Sequence, residues 1–131
     1  MTTEPVTQRF EFVIGVNPGY QHDNEVEQPL AIVAKAWRRA AKQCERDGGM
    51  FISAVFTQGK CIWPDGEDRK CPETGEDVVI VSGVRNSTRC RYPARWRKSL
   101  NWICAEVQRR LNQTTSTLAV HEVQFRYNIG C

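Results

Sequence analysis

The 131-residue chain has no long hydrophobic run: its densest aliphatic stretch, residues 78–81, is far short of the roughly 20 residues that a membrane-spanning helix needs. Its start, MTTEPVTQRF, lacks the basic stretch followed by an apolar one that marks a secretory signal, so the expected setting is the cytoplasm. In that setting the six cysteines (Cys44, Cys61, Cys71, Cys90, Cys104, Cys131) are expected as reduced thiols rather than as a disulfide scaffold. Neither CxxC nor HExxH spacing occurs. A metal site would have to be drawn from the scattered set Cys61, Cys71, Cys90 and His22, which is a weak pattern, so no metal is assigned. The only histidines, His22 and His121, stand in no HxT or HxS pair, which argues against two-histidine phosphoester chemistry. His121 reads as a structural histidine more readily than a catalytic one. A GxSxG elbow, a GxxxxGKS/T phosphate loop and a GxGxxG turn are all missing, which removes the main support for serine hydrolase, P-loop and dinucleotide-binding readings. There is no internal repeat.

What is present is an ordinary globular composition, 40% hydrophobic and 25% charged, with a net charge of +3 that conceals a segregation. Across residues 85–110 the bases Arg85, Arg89, Arg91, Arg95, Arg97, Lys98, Arg109 and Arg110 face only Glu106. Across residues 60–77 the acids Asp65, Glu67, Asp68, Glu73, Glu76 and Asp77 outnumber Lys60, Arg69 and Lys70. One segment is suited to anions and the other to cations.

The periodicities predict six elements in one domain, 1–131, after an N-terminal tail at 1–8. Residues 9–16 alternate, with Phe10, Phe12, Ile14 and Val16 on one face, and the turn NPG follows. Leu30, Val33, Trp37, Ala40, Ala41 and Cys44 recur at helical spacing between Pro29 and the glycine pair Gly48-Gly49. A second strand is expected over 50–57, extending as far as Trp63, and a long loop rich in charge, proline and glycine over 64–75. Residues 77–84 read as a third strand. Pro93 opens a second helix with the apolar stripe Trp96, Leu100, Ile103, Val107 and Leu111, and residues 117–129 read as the last strand.

The order β-α-β-β-α-β is the signature of a ferredoxin-like α+β sandwich, with two helices on one face of a four-stranded antiparallel sheet. Strands such as Val78-Val79-Ile80-Val81 are apolar on both faces, and two helices cover only one. A second subunit is the expected cover, which predicts a homo-oligomer, a trimer or a dimer.

Among residues able to carry chemistry, Glu76 flanks the buried third strand, so its carboxylate is held at the sheet end. Trp63, at the other end of the same loop, supplies an aromatic face. Together they suit a cationic ligand. Asn17, ending the first strand, offers an amide, although a turn-forming asparagine before Pro18 explains it more readily. The basic segment Arg89, Arg91, Arg95, Arg97 and Lys98, with Tyr92 and Trp96, is an alternative contact for nucleic acid. The third strand DVVIVSGV lacks the aromatic signature of an RNA-recognition module, so this contact is not the favoured one.

The strand order, the long loop between strands two and three and the apolar second face resemble the PII-like trimeric architecture, whose small-ligand sites lie between subunits. Within it the chain is most similar to the phage-encoded S-adenosylmethionine lyases, counter-defence enzymes that destroy the methyl donor of restriction systems. The similarity spans about residues 10–127 and is carried by FEFVIGV in the first strand, GKCIW ending the second, and TGEDVVIV, where Glu76 stands as a functional acid does in those lyases. Trp63 takes a place where a tyrosine is usual. The resemblance implies an intramolecular reaction, in which the substrate's own carboxylate displaces methylthioadenosine and leaves homoserine lactone, without cofactor or metal. It further implies an adenosine-type substrate at subunit interfaces, Glu76 as the electrostatic group, Trp63 packed by the sulfonium or adenine, and Asn17 positioning the substrate. It places the protein in the host cytoplasm, with no membrane partner. Two further readings stand beside it. One is a non-catalytic oligomeric module that sequesters a nucleotide signal or docks on nucleic acid or a host protein through residues 89–98. The other is a purely structural oligomer.

Overall fold

The computed structural model describes residues 6–16, 28–126 and 128. Six elements follow in the expected order: β1 (Val6–Gly15), α1 (Pro29–Arg46), β2 (Val55–Cys61), β3 (Glu76–Val84), α2 (Pro93–Arg110) and β4 (Ser116–Gln124). The strands form one antiparallel sheet in the order β2-β3-β1-β4, the ferredoxin-like arrangement, with both helices on one face. Among the described residues no helix is long and apolar enough to cross a membrane.

Each element forms for a local reason. Pro29 and Pro93 sit in the first turns of α1 and α2, where a missing N–H costs nothing. Gly48, at φ +95°, lets the chain leave α1 in a conformation that side chains resist. The helices turn Val33, Trp37, Ala40, Ala41, Leu100, Ile103 and Val107 onto the alternate residues Phe10, Phe12, Ile14, Val79 and Val81 of the central strands, all buried. Each large side chain so buried contributes about 1.5–3 kcal/mol. Trp37 is the keystone. Its ring stacks on Phe10, with centroids 5.7 Å apart and planes within 6°, and its Nε1–H donates to the Ile52 carbonyl at 2.9 Å. Cys44 and Cys104 are buried helix positions, and burial pushes the Cys104 thiol up to about 12.

The structure corrects several boundaries. β1 starts at Val6, so residues 6–8 belong to the sheet rather than to a tail, because Val6, Thr7 and Gln8 pair with Gln124, Val123 and Glu122 of β4. β4 stops at Gln124, opposite the first residue of β1, and Phe125 and Arg126 are no longer strand, while residues 127 and 129 of the expected strand lie outside the described residues. Residues 50–54 are not strand. Ile52 is buried in the core and gives its carbonyl to Trp37, while the Ser53 carbonyl crosses so close to Gly83 that a Cβ there would stand 2.7 Å from it. Pairing with β3 therefore begins only at Val55↔Ser82 and ends at Cys61↔Glu76, two residues before Trp63.

On the face away from the helices the register aligns Val13 with Ile80 and Thr117, and Val78 with Gly59. Val78 is buried, Val13 and Ile80 are half-buried, and Val55 on the edge strand is 65% exposed. The expectation that both faces are covered therefore holds only partly within one chain.

Candidate active site

The site grows out of the sheet register. Cys61 and Glu76 are cross-strand partners where β2 and β3 diverge, so the loop 62–75 begins and ends at the same edge of the sheet. Gly75, at φ +88°, makes the re-entry into β3. The loop is pinned to itself: the Asp65 carboxylate accepts from the Cys71 N–H at 2.7 Å, the Gly66 N–H donates to the Arg69 carbonyl at 2.8 Å, and the Trp63 N–H reaches the Cys71 sulfur at 3.4 Å. These contacts fix the backbone of Trp63. Its indole then turns back to the sheet, where Nε1–H donates to Glu76 Oε2 at 3.1 Å.

Glu76 is the first residue of β3 and only 6% exposed. A carboxylate at that depth needs partners to offset lost hydration, and the indole N–H is one. Its other oxygen lies over Gly15, the last residue of β1. A Cβ at Gly15 would stand 2.6 Å from Glu76 Oε1 and 2.9 Å from Gln113 Oε1. The missing side chain at Gly15 is therefore the space that the carboxylate and the amide share. Gln113 is set there by the turn after α2, in which its N–H donates to the Gln108 carbonyl at 3.1 Å and its side-chain amide to the Leu111 carbonyl at 3.2 Å.

Around this group lies a cleft of about 390 Å³, within the range of small-molecule sites. Val13 and Val78 give it an apolar floor, Trp63, Pro64 and Arg69 one wall, and Gln113 with Thr115, Ser116 and Thr117 the other. The arrangement offers a buried carboxylate, an aromatic ring, an apolar floor, neutral hydrogen-bonding groups and the Arg69 guanidinium in one wall. That set fits a cationic ligand bearing a polar body.

Glu76 and Trp63, identified separately in the sequence, are thus brought into direct contact. Asn17 and His22 lie outside the described residues. Arg89, Arg91, Arg95, Arg97 and Lys98 are exposed and do not line this cleft. Trp96, considered above as a base-stacking residue, is 3% exposed and packs 6.1 Å from the Phe10 ring, so it is unavailable for stacking. Arg85 is likewise no part of a basic surface. It is buried, and its side chain donates to Gln8 Oε1 and the Cys90 carbonyl, tying down the connection into α2. His121 is exposed on β4. Among the described residues no three His, Cys, Asp or Glu side chains cluster as metal ligands. Gly15, Arg69 and Gln113 escaped the sequence reading; the polar run NQTTS was the available signal for Gln113.

A protein-family model described as SAM lyase matches residues 5–129. The chain belongs to the SAM lyase family. As a member it is an enzyme, a lyase acting on S-adenosylmethionine. No curated protein sequence matches this SAM lyase. Among solved structures it is similar to a phage SAM lyase in complex with S-methyl-5'-thioadenosine, at 9% identity and a TM-score of 0.58, covering 94% of this chain and 93% of that one. It is equally similar to a phage SAM lyase in its apo state, at 10% identity and a TM-score of 0.58, covering 95% and 94% of the two chains. At such identity these likenesses establish the shared fold.

Proposed function

We propose that this SAM lyase cleaves S-adenosylmethionine by intramolecular displacement, in the cleft around Glu76. A carboxylate oxygen of the substrate attacks its own γ-carbon, the Cγ–S bond breaks, and the electron pair goes to sulfur. The products are neutral methylthioadenosine and homoserine lactone, which keeps the ammonium charge. No proton is transferred and no water is consumed, so the enzyme needs neither a nucleophile nor a general base of its own. Its task is to hold the substrate in the conformer that brings the carboxylate behind the γ-carbon, and to keep water from that carboxylate.

The observation that carries this reading is the buried Glu76 carboxylate, oriented by the Trp63 indole N–H at 3.1 Å in a cleft whose other lining residues, Arg69 apart, are neutral. Charge bookkeeping decides what Glu76 holds. The sulfonium loses its charge on the way to product, so a carboxylate beside it would stabilise the ground state more than the transition state and slow the reaction. The α-ammonium keeps its charge throughout. Glu76 is therefore assigned to the ammonium, which anchors the amino-acid end. Trp63 packs against the sulfonium or the adenine, and Asn17 contributes a positioning amide. Arg69, in the same wall as Trp63, is assigned a place away from the attacking carboxylate, because a guanidinium paired with that carboxylate would blunt it. The neighbouring fold that binds methylthioadenosine supports the nature of the leaving group.

The reading extends to assembly and setting. The cleft opens at the end of the helix-free sheet face, where apolar residues stay partly exposed, and a homo-oligomer, a trimer by preference, completes it from a second subunit. In the host cytoplasm of a phage infection, removal of the methyl donor is a counter-defence. The test is incubation of the purified protein with S-adenosylmethionine, followed by mass spectrometry. Methylthioadenosine and homoserine lactone are expected in equal amounts. Homoserine from the outset, with solvent oxygen in its hydroxyl, would replace displacement by hydrolysis.

A further inference from the structure

A second cleft, of about 340 Å³, lies between the turn that ends α1 and the first half of α2. Arg95, Lys98 and Trp102 line it together, spaced three and four residues apart and so on one stripe of the helix. Gly48, Gly49 and Ser99 form its opposite side and floor, and Asp47 is the one acid in its lining. Arg95 is held in place by donating to the Gly48 carbonyl at 2.9 Å. Arg91, just ahead of the helix, is exposed, Tyr92 is 67% exposed and the Trp102 ring 39%, whereas Arg97, two residues from Arg95, is exposed on another side of α2.

Arg95 aside, which ties α2 to the turn after α1, these charges have no partner among the described residues. At the other end of α2, Arg109 and Arg110 both pair with Glu106. Among the described residues Arg91, Arg95, Arg97 and Lys98 have no carboxylate in ion-pair reach, and the first turn of α2 contains no acid. Cations near a helix N-terminus oppose the helix dipole and repel one another.

We infer that this cleft, with Arg91 beside it, is a binding surface for single-stranded nucleic acid, with phosphates on Arg91, Arg95 and Lys98 and a base on Trp102. Unpaired cations tracking a backbone, interleaved with exposed aromatic rings, are what sequence-tolerant strand binding uses. The cations outnumber what one mononucleotide requires, which favours a strand. The surface is separate from the Glu76 cleft, so it stands whether or not that site performs the displacement.

Fluorescence anisotropy with a labelled oligo(dT), ATP and polyglutamate serving as competitors, tests this on the full chain. The oligonucleotide is expected to bind, and neutralising three phosphates makes a tenfold rise in salt weaken it about 100-fold. R95E/K98E should abolish binding, and Trp102→Ala should weaken it about tenfold. Unchanged circular dichroism establishes that the variants fold, and the wild-type salt slope is an independent readout. No binding at low salt would overturn the inference, as would binding that these substitutions leave unchanged. Competition by ATP equal to that of the strand would replace it with a mononucleotide site, and equal competition by polyglutamate with an acidic-protein surface.

Discussion

Each of the two clefts pairs a tryptophan with charge, and they treat it in opposite ways. In the first, Glu76 is 6% exposed and its carboxylate is tied to the Trp63 indole N–H, over a glycine that leaves it room. In the second, Lys98 and its neighbouring arginines are exposed, and Trp102 stands half in solvent. A buried, oriented charge acts at short range on a ligand whose atoms must be placed to a fraction of an ångström. An exposed set of charges gathers a flexible polyanion and is screened by salt. The difference separates a site for chemistry from a surface for adhesion.

The sharpest way to break that comparison is to change charge in each cleft and measure turnover. Glu76→Gln keeps the shape but removes the anion, and is expected to lower kcat/KM for S-adenosylmethionine by about 10²–10³-fold. R95E/K98E should leave kcat/KM at the wild-type value. Next in size, Gly15→Ala would drive a methyl group to 2.6 Å from Glu76 Oε1 and displace the carboxylate. An ångström-scale shift of a positioned group costs up to about 10²-fold, read in the same kinetics. Trp63→Phe keeps the ring but takes the N–H from Glu76, an expected loss of about tenfold in kcat/KM.

The smallest effect lies at the ion-paired end of α2. The hydrogen bond from Arg109 holds the Glu106 carboxyl below its usual range of about 4.5. A carboxyl lowered in the folded state contributes stability above its unfolded value and loses it as pH falls through the folded one. Glu106→Gln should therefore cost under about 1 kcal/mol at neutral pH, after solvent screening, and nothing in strong acid, as urea unfolding at both pH values would register.

Topology was legible because each element announces its period: Phe10, Phe12 and Ile14 at two, Val33, Trp37 and Cys44 at helical spacing. The start of β2 was not, since Met50, Ile52 and Ala54 alternate like a strand while the Trp37 indole and the close pass at Gly83 decide where pairing begins. Half the site was readable for the same local reason. Glu76 and Trp63 flank one conspicuous loop, so their meeting followed from the hairpin. Gly15 and Gln113 reach the same spot from β1 and from the turn after α2, a juxtaposition that only the register of non-adjacent segments creates. Trp96 was misjudged as a stacking residue because its place on the apolar stripe of α2, facing Phe10, outweighed its basic neighbours.

The central claim is that Glu76 anchors S-adenosylmethionine for displacement by the substrate's own carboxylate. Its most direct test is the appearance of methylthioadenosine from S-adenosylmethionine, followed by mass spectrometry for the wild-type protein and Glu76→Gln side by side. The account predicts stoichiometric methylthioadenosine and homoserine lactone from the wild type, and a rate about 10²–10³-fold lower from a variant that remains folded. Equal rates from the two proteins would contradict it.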